Sequence, residues 1–117
     1  MAQISIVEFN LERYFPTVEQ GILLTNQEIT RCRKQKIRII KLIHGYGSSG
    51  VGGNLRHGIR RHLQTMVQTG SLRGLMWGEE FSIFDETTRQ MLDAVPELRR
   101  DSDLERCNQG ITMIFVG

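Results

Sequence analysis

Residues 36–63, KIRIIKLIHGYGSSGVGGNLRHGIRRHL, decide how this chain folds. Ile37, Ile39, Ile40, Leu42 and Ile43 form a nearly continuous apolar, largely β-branched run of strand length. A parallel strand covered on both faces has this pattern. Gly45, Gly47, Gly50, Gly52 and Gly53 then fall within nine residues. Asn54 is placed to cap a helix predicted from about Leu55 to Gln68, in which Leu55, Ile59, Leu63 and Met66 repeat as a core-facing stripe. Arg56 and Arg60 make one outward pair on this helix, His57 and Arg61 another. A strand, a glycine turn and a helix N-terminus together form an anion site, because N–H groups and the positive dipole end point into it. His44 stands at its mouth, a side chain that exchanges protons near neutral pH.

On the N-terminal side, Ile4–Leu11 reads as a first strand. A helix from Pro16-Thr17 to about Gln35 follows, with Thr17 and Gln20 at capping-box spacing. Val18, Ile22 and Ile29 share one of its faces, and Arg31, Arg33 and Lys34 crowd its C-terminal end, where the dipole favours cations. Gly21 weakens this helix by about 1 kcal/mol relative to alanine. On the C-terminal side, Leu72–Trp77 reads as a strand and Asp85–Ala94 as a short helix stopped by Val95-Pro96. Leu98–Asn108 reads as a charged loop and Ile111–Val116 as a last strand. Trp77 and the phenylalanines are assigned to the core. This order implies one α/β domain over residues 1–117, with helices packed on a sheet.

Charge is divided along the chain. Between Ile29 and Gly78 there is no Asp or Glu, although the chain has 13, while ten of the 15 Lys and Arg lie there. A positive surface around the glycine turn is therefore expected, and its natural partner is a polyanion. No apolar run approaches the roughly 18–20 residues that span a bilayer. The start, MAQISIVEFN, lacks a basic segment followed by an apolar core, so the cytoplasm is the expected compartment. Cys32 and Cys107 stand apart without a CxxC or Cys/His pattern, which speaks against structural zinc and implies no disulfide.

The turn Gly45–Gly50 fits GxGxxG between a strand and a helix, but a dinucleotide site needs an acid about 20 residues further on. Gly70 and Ser71 stand there, and the first acid is Glu79. A Walker loop needs Lys and then Ser or Thr after Gly50, where Val51 and Gly52 are found.

The segment IHGYGSSGVGGNLRHGIRRHL resembles the HGxG segment of small MutS-related (Smr) domains, a strand, a glycine turn and an LR-containing helix. The ending NQGITMIFV is similar to that family's closing strand, and Pro16–Gln20 to the start of its first helix. Together these cover most of the chain except Glu79–Cys107. The resemblance implies a two-layer α/β fold with a four-stranded mixed sheet, like the C-terminal domain of the third bacterial translation initiation factor. It also implies nucleic-acid binding, with RNA slightly favoured over DNA, and in many members endonuclease activity on RNA or DNA. The family's other motif, Leu-Asp-x-His-Gly, falls on Phe9-Asn10-Leu11-Glu12-Arg13, so its acid and histidine are both missing.

Two functions follow. As an endonuclease, the protein would use His44 as general acid or base, with Glu12 replacing the missing histidine as proton acceptor or as ligand to magnesium or manganese. As a non-catalytic RNA- or DNA-binding module, it would keep only the phosphate cradle. In either case the cradle comprises Lys41, Gly45, Tyr46, Gly47, Ser48, Ser49, Gly50, Gly52, Gly53, Arg56, His57 and Arg60, with Tyr46 placed to stack on a base. A small-molecule phosphate or nucleotide is a third ligand class, and a ribosome is an assembly such a small domain can act on.

Overall fold

A computed structural model of the chain describes residues 4–45 and 50–117. Strand β1, Ile6–Asn10, leads through a 3-10 turn, Leu11–Tyr14, into helix α1, Val18–Lys34. The capping box forms as the sequence implies: Gln20 N–H donates to Thr17 Oγ1 at 3.2 Å, and Thr17 N–H to Gln20 Oε1 at 2.9 Å. Strand β2, Ile39–Ile43, is followed by helix α2, Gly50–Gln68, and strand β3, Gly74–Trp77. Helix α3, Glu86–Ala94, starts on an Asp85 side-chain cap, and strand β4, Ile111–Phe115, closes the sheet.

The sheet has the order β1-β2-β4-β3. β1 and β2 are parallel, whereas β4 runs antiparallel to both β2 and β3. The expected four-stranded mixed sheet is therefore present, with β4 inserted between the parallel strands β2 and β3. Alternation along the strands separates two cores. Ile40, Leu42 and Ile114 face α1 and α2, where they meet Ile29, Cys32, Leu55, Ile59 and Leu63. Ile39, Met113 and Phe115 face the other way, onto Phe81, Met91, Leu92 and Leu98. The α1/α2 layer is the one implied by the sequence, and α3 adds a smaller cover on the second face.

Several expectations are corrected. α2 starts at Gly50, so Asn54 lies inside the helix rather than capping it. The buried stripe of α1 is Gly21, Thr25, Ile29 and Cys32, rotated from the Val18–Ile22–Ile29 line. Its reason is the close approach of α2: a Cβ on Gly21 would lie 2.8 Å from Leu55 Cδ1, and one on Gly58 would run into Val18 Cγ1. The stretch 98–108 is not simply a charged loop, since Leu98 is buried in the α3 core. Phe15 and Phe84 are exposed, not core, while Phe81 and Phe115 are buried.

Candidate functional site

The carboxyl ends of β1, β2 and β3 and the amino end of β4 meet along one edge, where Asn10 is paired with Ile43, Ile43 with Ile111 and Trp77 with Thr112. Helix α2 also begins at this edge, because it follows β2 after a short connection. Ligands of open α/β sheets settle at such an edge. His44 and Gly45 leave β2 here, and both of their N–H groups donate to the Gly110 carbonyl at 3.0 Å. Gly45 has φ +76°, and a Cβ there would come within 2.5 Å of Glu12 Oε2. The backbone conformation demands glycine, whereas the exposed Glu12 side chain can give way. Glu12 thus lies against the histidine–glycine turn, carried there by the 3-10 turn that Asn10 caps.

His44 is 1% exposed, and both its ring nitrogens are engaged. Nδ1–H donates to the Gly45 carbonyl at 2.7 Å, which leaves Nε2 to accept from Thr112 Oγ1 at 2.9 Å. Thr112 Oγ1 in turn accepts from Arg60 Nε at 3.2 Å. Burial, opposed by the Gly45 bond but helped by the Arg60 and Arg56 charges, pushes the imidazole pKa down to about 4. His44 is therefore a neutral, doubly bonded ring at pH 7.

Arg60 is not the outward cation that helical spacing implies. Its guanidinium forks onto Glu79 with two bonds of 2.7 Å, donates to the carbonyls of Gln109 and Ile111, and lies over the Trp77 ring at 4.7 Å. Burial raises the Glu79 carboxyl, but the Arg60 bonds outweigh it and hold the pKa below the ordinary range. Lys41 is likewise diverted: it sits on the α3 face, 7% exposed, with its ammonium between Asp101 at 3.0 Å and Asp103 at 2.5 Å. There it pins the 101–103 segment to the sheet. The alternation of β2 directs it away from the face that carries α2.

Arg56 stays at the edge. It donates to Gln109 Oε1 at 3.2 Å, and its buried Nε has no partner among the described residues. His57 is exposed on α2 beside it, and Gly50, Gly52 and Gly53 belong to the first turn of that helix, which carries no acid. Tyr46, Gly47, Ser48 and Ser49 lie outside the described residues. Thr112, Glu79 and Gln109 are site residues that sequence reading misses. They reach His44, Arg60 and Arg56 only through the sheet, and Glu79 alone carried a signal, as the first acid after the acid-free stretch.

The positive surface is also divided. Arg33, Lys34, Lys36, Arg38 and Arg73 flank the start of β2 and β3, at the end of the sheet away from His44. Among the described residues no group of three or more His, Cys, Asp or Glu could hold a metal ion. No helix among them is long and apolar enough to cross a membrane.

No protein-family model matches the sequence, and no curated protein matches it. The fold is nevertheless that of an Smr domain. The Smr domain of Thermus thermophilus MutS2 superposes on it with a TM-score of 0.56 at 17% identity, covering 97% of this chain and 99% of that one. At that identity the likeness is one of fold.

Proposed function

We propose that this Smr-like domain is a non-catalytic nucleic-acid-binding module of the cytoplasm, which holds a phosphate at the edge formed by the start of α2 and Arg56. The observation that carries the binding reading is the acid-free first turn of α2, followed on the same helix by Arg56, which has no ion-pair partner among the described residues. A backbone phosphate is favoured there by the helix dipole and by the unpaired Arg56 charge. The absence of cleavage is argued from His44, whose two nitrogens are already bonded inside the protein and whose ring is out of solvent. A general base needs a free nitrogen within reach of the proton it takes. RNA is placed ahead of DNA, and a ribosome among the assemblies, on the Smr resemblance alone.

The endonuclease reading is favoured by one observation, the Glu12 carboxylate packed against the His44–Gly45 turn. In that reading the His44 ring swings off Thr112 to move a proton, and Glu12 accepts it.

Fluorescence anisotropy with labelled single-stranded RNA and DNA, over a salt series, tests the binding. Arg56→Ala should weaken affinity and reduce the slope of log K against log salt by about 1, the loss of one phosphate contact. Parallel incubation of end-labelled RNA and supercoiled plasmid with wild type and His44→Ala tests the chemistry. Cleavage that disappears in His44→Ala establishes the nuclease, and no salt-dependent binding to either polymer overturns both readings.

A further inference from the structure

We propose that the sheet end opposite His44 is a second phosphate contact, centred on Lys36, for the backbone of the same nucleic acid. The inference rests on the nucleic-acid reading and concerns a separate place on the molecule. α1 ends there: Lys36 N–H donates to the Arg33 carbonyl at 3.2 Å and Ile37 N–H to the Cys32 carbonyl at 2.9 Å. This pattern of closing bonds puts the residue after the helix in the left-handed conformation, where glycine is the usual occupant. Lys36 takes it at φ 61°. Phe15, Glu105 and Cys107 adopt the same conformation elsewhere, so it is the charge gathered around Lys36 that distinguishes this position.

Its surroundings supply that charge. Arg33, Lys36 and Arg38 line a pocket of about 340 Å³ together with Ile37, Val116 and Gly117. Arg33 is anchored by donating to the Ser71 carbonyl, and Arg38 by donating to the Ala94 carbonyl at 2.9 Å. Arg38 and Arg73 both lie over the Phe115 ring, at 5.8 and 4.3 Å. Arg38 Nε also donates to Gly117 O at 3.3 Å, and none of these guanidiniums has an ion-pair partner among the described residues. The Lys34 and Lys36 ammoniums have no ion-pair partner among the described residues and are exposed. At the His44 end, in contrast, Arg60 is neutralised by Glu79.

The bland account is that these cations only complement the negative end of the α1 dipole. It explains charges in the last turn, but not those of Lys36, Arg38 and Arg73 beyond it. The two contacts are joined by the outer face of α2, where His57, Arg61 and Gln64 are exposed and no acid occurs. The five residues of β2 separate the ends by roughly 17 Å.

The test uses Lys36→Gly and Lys36→Gln in the full chain, with the anisotropy series above and thermal melts. Lys36→Gly relieves the backbone and removes the charge; Lys36→Gln removes the charge and keeps the backbone. Both should bind about five- to ten-fold more weakly at 0.1 M salt, with the log–log slope reduced by about 1. Lys36→Gly should melt no lower than wild type. If wild type binds and both variants bind equally well, the second contact is wrong and the binding reading stands. Weaker binding by Lys36→Gly alone also overturns it, since charge is then not the cause. If wild type binds neither RNA nor DNA, the nucleic-acid reading itself falls and this inference with it.

Discussion

Lowering the pH from 7 to 5 should destabilise this protein through His44, and the amount can be worked from the structure. The native imidazole has its pKa near 4, against 6.5 for a free one. Between these values the unfolded chain binds a proton that the native state refuses. Stability from this group is therefore complete above the unfolded pKa and is lost as pH falls towards the native one. At about 1.36 kcal/mol per pH unit, with the partial titration at pH 7 subtracted, the loss from pH 7 to 5 is about 2 kcal/mol. The charges acting on the ring are those of Arg60, Arg56 and Glu79. The Glu79 pKa is lowered by Arg60, so it stays ionised through the window. Asp103 behaves likewise, with burial opposed and outweighed by Lys41 and Asn108. His62, also lowered by burial, acts in the same direction as His44 and is removed by using a His62→Gln background. Urea melts at the two pH values should then differ in midpoint by about 1 M, taking a typical slope for a small domain. His44→Gln in that background is less stable at pH 7, because Thr112 and the Gly45 carbonyl lose partners, but its midpoint should be nearly flat with pH. A pH slope that survives His44→Gln would refute the buried, neutral ring and, with it, the argument against general-base chemistry.

Two further outcomes follow from the helix crossing and the cysteines. In Gly58→Ala the gain of about 1 kcal/mol in helix propensity should be outweighed by overpacking of about 1–3 kcal/mol against Val18. The melting temperature should fall by a few degrees, and Val18→Ala in the same chain should reverse the sign; a stabilised single variant would show that the crossing is not tight. Cys32 is buried, which pushes its thiol pKa up to about 11, whereas Cys107 is exposed. A thiol-specific chromogenic reagent should therefore label one cysteine in the native protein and two in denaturant, and rapid labelling of both under native conditions would contradict the α1 core.

Much of the architecture is written in local patterns. The β2 run, the Thr17–Gln20 box, the Leu55–Ile59–Leu63 stripe and the Asp85 cap each set an element through interactions within a few residues. For this reason the four strands and three α-helices of the described residues are anticipated to within a few positions, apart from the early start of α2. The glycine turn with His44 likewise declares an edge site, since a strand, a turn and a helix meet there in sequence order. Side-chain occupancy is a different matter. Arg60 and Lys41 carry the same charge as Arg56 and Lys36, and nothing local separates those held by acids from those left open. Glu79, Asp101 and Asp103 reach their partners only because β3 and the segment before β4 are brought beside β2. Thr112 faces His44 across 68 residues of chain for the same reason. Local sequence thus determined the elements and the turn, because capping and periodicity act at short range. Tertiary structure alone decided which cations are free and whether His44 can move a proton, because strand pairing sets which side chains meet and burial sets what charge they carry.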